Sequence, residues 1–342
     1  IYNLLINSGL NKKDSFAGCL IFLFIPAVSF SSFIISTDLF LLLFWTLSLN
    51  QLIKINIEQG LKNFILLGIF LGLGFLSKYA AIYFVICLFV LILLDQRFRK
   101  VFLDNLSGFS LAFLSMFIII LPNIIWNFNN DWITLQHTSD NVNFANIEID
   151  FIRGLEFLLI QVLMLGPFIV LGGLFGSNKW DYVQKTFLIF SIPIILIVLI
   201  EAIIVRANAN WAAPALISLF AILYIRTNNS FLKMANYIFN FTVSFVLFVM
   251  IGTSYPSKIF DRINGINDYA LKIYSNFSNV VVKNIVVSDR LLFSSLNFEL
   301  RDKDINFYMP HKEGGEITNH FKIVSPLNKN INENFTLIGS PS

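Results

Sequence analysis

Apolar residues fall in long uninterrupted runs, and charged residues collect where those runs end. About nine segments suit a bilayer core, which takes about 20 apolar residues per crossing helix. They are residues 16–35, 38–54, 63–77, 79–94, 105–122, 153–175, 186–205, 211–226 and 234–252. Each is expected to be a helix, because backbone groups in lipid must bond within their own segment. The third and fourth are short, and a hairpin there is tolerable where protein covers the turn.

After about Tyr255 the pattern turns polar and the periods shorten. VVKNIVVSD (281–289) reads as a strand and turn, and LLFSSLNFEL (291–300) as a helix capped by Ser288 or Asp289. INFYM, HFKIVS and NFTLIG read as further short strands. The expected architecture is an all-α polytopic membrane bundle over residues 1–252, followed by a small α/β domain over 253–342.

Composition separates this reading from a soluble one. The 342 residues are 56% hydrophobic and 13% charged, whereas soluble domains carry about 25% charged residues. The net charge of +3 is too small to suggest nucleic acid as a partner, and no basic block accompanies it. Cys19 and Cys87 lie inside apolar runs without metal spacing, and a disulfide is not expected. The Asn-Phe-Thr and Asn-Phe-Ser triplets at 240, 276 and 334 are assigned no role, Asn240 lying within a span. The chain opens at Ile1 without Met, on what reads as the end of a span, so an upstream portion is expected.

The connecting loops differ in basic residues. One set holds Lys12, Lys13, Lys54, Lys62, Arg97, Arg99, Lys100, Lys179, Lys185, Arg226 and Lys233, and the other only Lys78, Arg153 and Arg206. Lys and Arg mark cytoplasmic loops, so the second set and the tail after Gly252 are expected outside. The outer stretch from Pro122 to Asp150 is long, with Trp126 and Trp132 suited to an interface.

Four outer residues are candidates for chemistry. Asp38 stands between two apolar runs, where a carboxylate needs a partner or water; Ser36, Thr37 or Asp38 could instead cap the following helix. Lys78 is a cation between two spans that could pair with Asp38, bind phosphate as a point charge, or snorkel. Gly68, Gly72 and Gly74 precede it and permit close helix approach. His137, in the long loop, has only Asp131, Asp140 and Glu148 near in sequence as potential co-ligands. Arg206 offers a planar fork for phosphate or carboxylate, with Glu201 about a turn earlier as a structural partner. A nucleophile motif, a glycine-rich phosphate loop and a paired-cysteine metal motif are absent from the sequence; Gly72-Leu-Gly74 falls inside a span, which removes a dinucleotide reading.

Four strings together resemble the polyprenyl-phosphate-sugar glycosyltransferases of the C-type membrane fold, which include bacterial protein O-mannosyltransferase-like enzymes and lipid A aminoarabinose transferases. They are ISTDLFLLLFW (35–45), GLGFLSKYAA (72–81), LPNIIWNFNNDWITLQH (121–137) and RANANWAAPAL (206–216). The resemblance implies a multi-pass inner-membrane enzyme with its C-terminal domain in the periplasm. Such enzymes transfer a sugar, with inversion, from a polyprenyl-phosphate donor to lipid A, another glycan or a protein. It implies that Asp38 matches the second acidic position of the site and Lys78 the lysine near it. The main base would lie in an earlier outer loop. His137 resembles a loop histidine that joins a metal in some members, so a divalent metal stays open and no cofactor is assigned; Lys78, His137 and Arg206 are the expected substrate-binding set. The rival reading is a transporter or flippase of a lipid-linked saccharide or small anion, although repeat-related halves are not evident.

Overall fold

The computed structural model describes residues 1–34, 36–135, 148–176, 180–205, 207–255, 258, 264–278, 283–311, 317–327 and 334–339. The chain divides into two compact units, residues 1–248 and 249–342.

The first unit is helical. Its elements are α1 (Tyr2–Asn7), α2 (Lys12–Leu23), α3 (Pro26–Ile34), α4 (Thr37–Ile57), α5 (Leu61–Ser77), a 3-10 turn at Tyr79–Ala81, α6 (Ile82–Leu94), α7 (Gln96–Asp104) and α8 (Leu106–Asn129). They continue with α9 (Phe151–Leu165), α10 (Pro167–Leu174), α11 (Tyr182–Ile189), α12 (Ile192–Ile204), a 3-10 turn at Ala209–Ala212, α13 (Ala213–Arg226) and α14 (Ser230–Thr253). The polytopic helical membrane architecture is as expected, but the span count differs. Among the described residues five helices are long and apolar enough to cross a membrane, or up to seven if each of two bent pairs is one span. Two expected spans fall short individually: α5 has only 17 residues, and the first apolar run is broken between α2 and α3. Pro26 causes that break, since proline lacks an N–H and disfavours helical geometry at the residue before it.

A second correction concerns Pro122. The helix expected to end there runs on to Asn129. Asn127 lends support beyond the proline, its amide donating to the Asn123 carbonyl at 2.9 Å.

The bundle packs around α13, which is buried on nearly every side, as a helix apolar on most of its faces should be. Trp45 of α4 sets its ring edge-to-face on Phe84 at 5.0 Å, and Phe84 on Phe190 at 4.7 Å. On α5, Gly68 permits close contact with α8: a Cβ there would stand 2.0 Å from the Ala112 carbonyl oxygen.

Broken helices inside a membrane expose backbone groups that lipid cannot satisfy. Here α14 supplies the partners. The chain turns by 96° between α9 and α10, at Gly166 with φ +97°. Asn236 accepts from the Ile169 N–H at 3.0 Å and donates to the Leu165 carbonyl at 3.2 Å. Asn240, one turn on, donates to the same carbonyl at 3.4 Å. Ser244, a further turn on, donates to the Phe24 carbonyl at 2.9 Å, at the α2–α3 break. Three polar residues at helical spacing thus stitch two breaks, and Asn240 is fully buried.

The second unit carries α15 (Ile266–Ser278), β1 (Asn284–Val287), α16 (Arg290–Glu299), β2 (Asn306–Tyr308), α17 (Phe321–Val324) and β3 (Phe335–Ile338). The three strands form a parallel sheet in the order β2-β1-β3, pairing Ile285 with Phe307 and Thr336. Asp289 caps α16, accepting from the Leu292 N–H at 2.7 Å. Ile285, Val287, Phe293, Leu296 and Phe307 form its core with Ala270 of α15. HFKIVS, expected as a strand, is instead the short helix α17. Asn319 accepts from the N–H groups of Phe321 and Lys322 at 3.0 and 3.3 Å, which starts a helical turn.

Replacing Asn236 by Leu keeps the volume and removes its two bonds at the α9–α10 bend, leaving the Leu165 carbonyl to Asn240 and the Ile169 N–H without this acceptor. The orphaned Ile169 N–H costs about 1–3 kcal/mol, so the unfolding midpoint in a mixed-micelle denaturant titration falls. An unchanged midpoint would show that the bend is satisfied some other way.

Candidate functional site

Asp38 lies in the first turn of α4, following Ser36, which occupies the cap position without a side-chain hydrogen bond. Asp38 is therefore not the helix cap. Its carboxylate is held elsewhere, although a negative charge in this turn also suits the helix dipole.

Both carboxylate oxygens are engaged. Lys78 Nζ donates to Oδ1 at 2.6 Å, and Asn210 Nδ2 donates to Oδ2 at 2.9 Å. Lys78 is the single extended residue between α5 and the 3-10 turn, with φ −162° and ψ 135°. Asn210 belongs to the 3-10 turn before α13. Three helix junctions, distant in sequence, thus meet on one carboxylate. With only 9% of its surface exposed, Asp38 would be costly to hold charged without these donors.

The pair stands between two cavities. Lys78 lines a cavity of about 750 Å³ together with Thr37, Tyr79, Tyr83, Glu201 and Trp211. Asp38 and Asn210 line a narrower one of about 210 Å³, whose other walls are mostly apolar, among them Phe22, Leu42 and Met164. The larger cavity has a polar corner. The Tyr79 hydroxyl lies 3.1 Å from Asn123 Oδ1 and 2.8 Å from Thr134 Oγ1. Asn127 Nδ2 lies 3.3 Å from Asn123 Oδ1, and the Thr134 hydroxyl donates to Asn127 Oδ1. Asp131 and Trp132, at the base of the long outer stretch, both take positive φ, 53° and 56°.

The structure brings Asp38 and Lys78 together. His137 and Arg206 lie outside the described residues, and so does the metal alternative that rests on His137. Among the described residues there is no cluster of three His, Cys, Asp or Glu side chains able to hold a metal. Sequence reasoning missed Asn210, Tyr79 and Asn123. A usable signal was present for Asn123, which with Asn127 puts two amides one turn apart at the end of an apolar helix.

The arrangement can hold an ammonium in place at a cavity wall. One Lys78 N–H goes to Asp38; an ammonium has three donors, so others can serve an oxygen-rich ligand. Asp38, with both oxygens occupied, is suited to fixing Lys78 and Asn210.

Comparison with known proteins bears on the class. Residues 1–126 match the family described as dolichyl-phosphate-mannose-protein mannosyltransferase, a stretch that includes Asp38, Lys78 and Asn123. A lipid A galacturonosyltransferase, RgtD, of Rhizobium johnstonii is 29% identical over 199 residues, 57% of this chain. The match covers 41% of that relative's length. No solved structure matches the chain. These likenesses agree with the resemblance carried by the four strings, to the polyprenyl-phosphate-sugar membrane glycosyltransferases. With its five to seven candidate spans, the chain is a multi-pass membrane protein.

A double-mutant cycle tests the ion pair. Asp38→Asn, Lys78→Met and the double variant should give a coupling energy of about 0.5–3 kcal/mol in unfolding, the range for residues in direct contact. A coupling of zero would mean that the two side chains do not meet.

Proposed function

We propose that this chain belongs to an integral-membrane glycosyltransferase that moves a sugar from a polyprenyl-phosphate donor to an envelope acceptor. The acceptor is lipid A, another glycan or a protein, and the reaction takes place on the outer face of a bacterial inner membrane. The observation that carries this reading is the Asp38-Lys78-Asn210 junction beside a cavity of about 750 Å³. The family match over residues 1–126, which contain Asp38 and Lys78, supports it. The excess of Lys and Arg in the opposite loops supports an outward-facing site and a periplasmic α/β unit.

The chemistry follows. A bond forms between the acceptor oxygen and the anomeric carbon as the bond from that carbon to the lipid phosphate breaks, which inverts the centre. The acceptor proton passes to a base, a role for a group other than the doubly engaged Asp38. Negative charge grows on the leaving phosphate, and an ammonium fixed in advance in a water-poor site stabilises it without reorganisation. Lys78 is placed to do this, with Arg206 proposed as a second donor and His137 as a further substrate contact.

The bend at Gly166 favours a second reading, transport of a lipid-linked saccharide, since broken helices line many transporter sites. Against it, Asn236 and Asn240 occupy backbone groups there that a transported ion or substrate would need.

In proteoliposomes of the full-length protein, transfer from a radiolabelled polyprenyl-phosphate sugar should fall at least ~10-fold in Asp38→Asn and in Lys78→Ala, about 1.4 kcal/mol of transition-state stabilisation. Full transfer in both variants would refute the site. Translocation of the lipid without any transfer would favour the transporter.

A further inference from the structure

The polar corner of the larger cavity fixes the orientation of one amide. Asn123 Oδ1 receives the Asn127 amide at 3.3 Å and lies 3.1 Å from the Tyr79 hydroxyl. Both partners are hydrogen donors, so this end of Asn123 is the oxygen, and an amide's orientation follows from such a network. Asn127 is itself oriented: its Oδ1 accepts from Thr134, while its Nδ2 also donates to the Asn123 carbonyl at 2.9 Å. With the Thr134 hydroxyl donating to Asn127, Tyr79 is the donor at this corner, its single proton shared between Thr134 Oγ1 at 2.8 Å and Asn123 Oδ1 at 3.1 Å. One consequence concerns the other end of Asn123. Its Nδ2 carries two protons, it makes no hydrogen bond among the described residues, and the residue lines the cavity that Lys78 also lines.

We propose that Asn123 is a sugar-contacting residue, its amide locked by Tyr79 and Asn127 so that the N–H pair donates to hydroxyl or ring oxygens of the glycosyl group. The inference rests on the glycosyltransferase reading and deepens it, because it separates two kinds of ligand atom within one cavity. Lys78 supplies charge, which suits a phosphate. Asn123 supplies neutral, directional donors, which suit the oxygens of a saccharide. Tyr79 follows Lys78 directly in the chain, so one turn sets both the cation and the lock on the amide. Tyr79 and Asn127 are positioning residues, acting through Asn123.

The substitution Asn123→Leu keeps the approximate volume and removes both donors without adding charge to the cavity that Lys78 lines. The full-length protein in nanodiscs is titrated, by quenching of its tryptophan fluorescence, with decaprenyl phosphate and with decaprenyl phosphate carrying mannose or galacturonic acid. Asn123→Leu should weaken the best sugar-bearing lipid at least ~10-fold and leave bare decaprenyl phosphate within ~2-fold. Tyr79→Phe, which removes only the lock, should weaken the sugar-bearing lipid ~3-fold and also spare the bare one. Equal losses for both lipids, or none, would overturn the assignment of Asn123 alone. A wild-type protein that binds neither lipid would overturn the glycosyltransferase reading and this inference with it.

Discussion

Lipid offers the backbone no hydrogen bonds, and that constraint organises this molecule. A straight helix meets it without help. The chain departs from straight helices at several points, and each departure described above brings its own donors and acceptors. The α14 stripe of Asn236, Asn240 and Ser244 serves the bend at Gly166 and the break before Pro26. The same constraint governs the site, where a carboxylate at a helix start survives burial because Lys78 and Asn210 engage both of its oxygens.

Breaks and site are therefore connected. Junctions between helices are where a membrane bundle can present extended backbone, 3-10 turns and polar side chains without placing them against lipid. Lys78 and Asn210 both come from such junctions, and Asp38 from the first turn after another. A cavity at this point inherits fixed polar groups along one side and aromatic rings, Tyr83 and Trp211, elsewhere on its wall. The lipid-phosphate sugar proposed above would meet both kinds of wall.

Much of the fold was legible in the chain. Apolar runs of span length located the helices, and the strands at 284–287, 306–308 and 335–338 fell within segments that read as strands. The failures have local causes. Pro122 looked like a helix end because its missing N–H is visible in sequence, while the amide that supports the helix beyond it is not. HFKIVS looked like a strand because its alternating pattern outweighed the Asn319 side chain that starts a helical turn. Of the site, Asp38 and Lys78 stood out because charge is rare in such runs. Asn123 and Asn210 did not, because asparagine is abundant throughout this sequence.

Hydropathy and charge are properties of neighbouring residues, so the sequence by itself determined that this is a multi-span helical protein with an α/β tail, and which ionisable groups lie at its span ends. Partnership is a property of space. Asp38 meets Lys78 across 40 positions of chain and Asn210 across 172, and Asn236 reaches Ile169 across 67. Only the packed bundle decided those contacts, and with them which oxygen is occupied and which amide is locked, because hydrogen bonds depend on distances of about 3 Å that no one-dimensional pattern encodes.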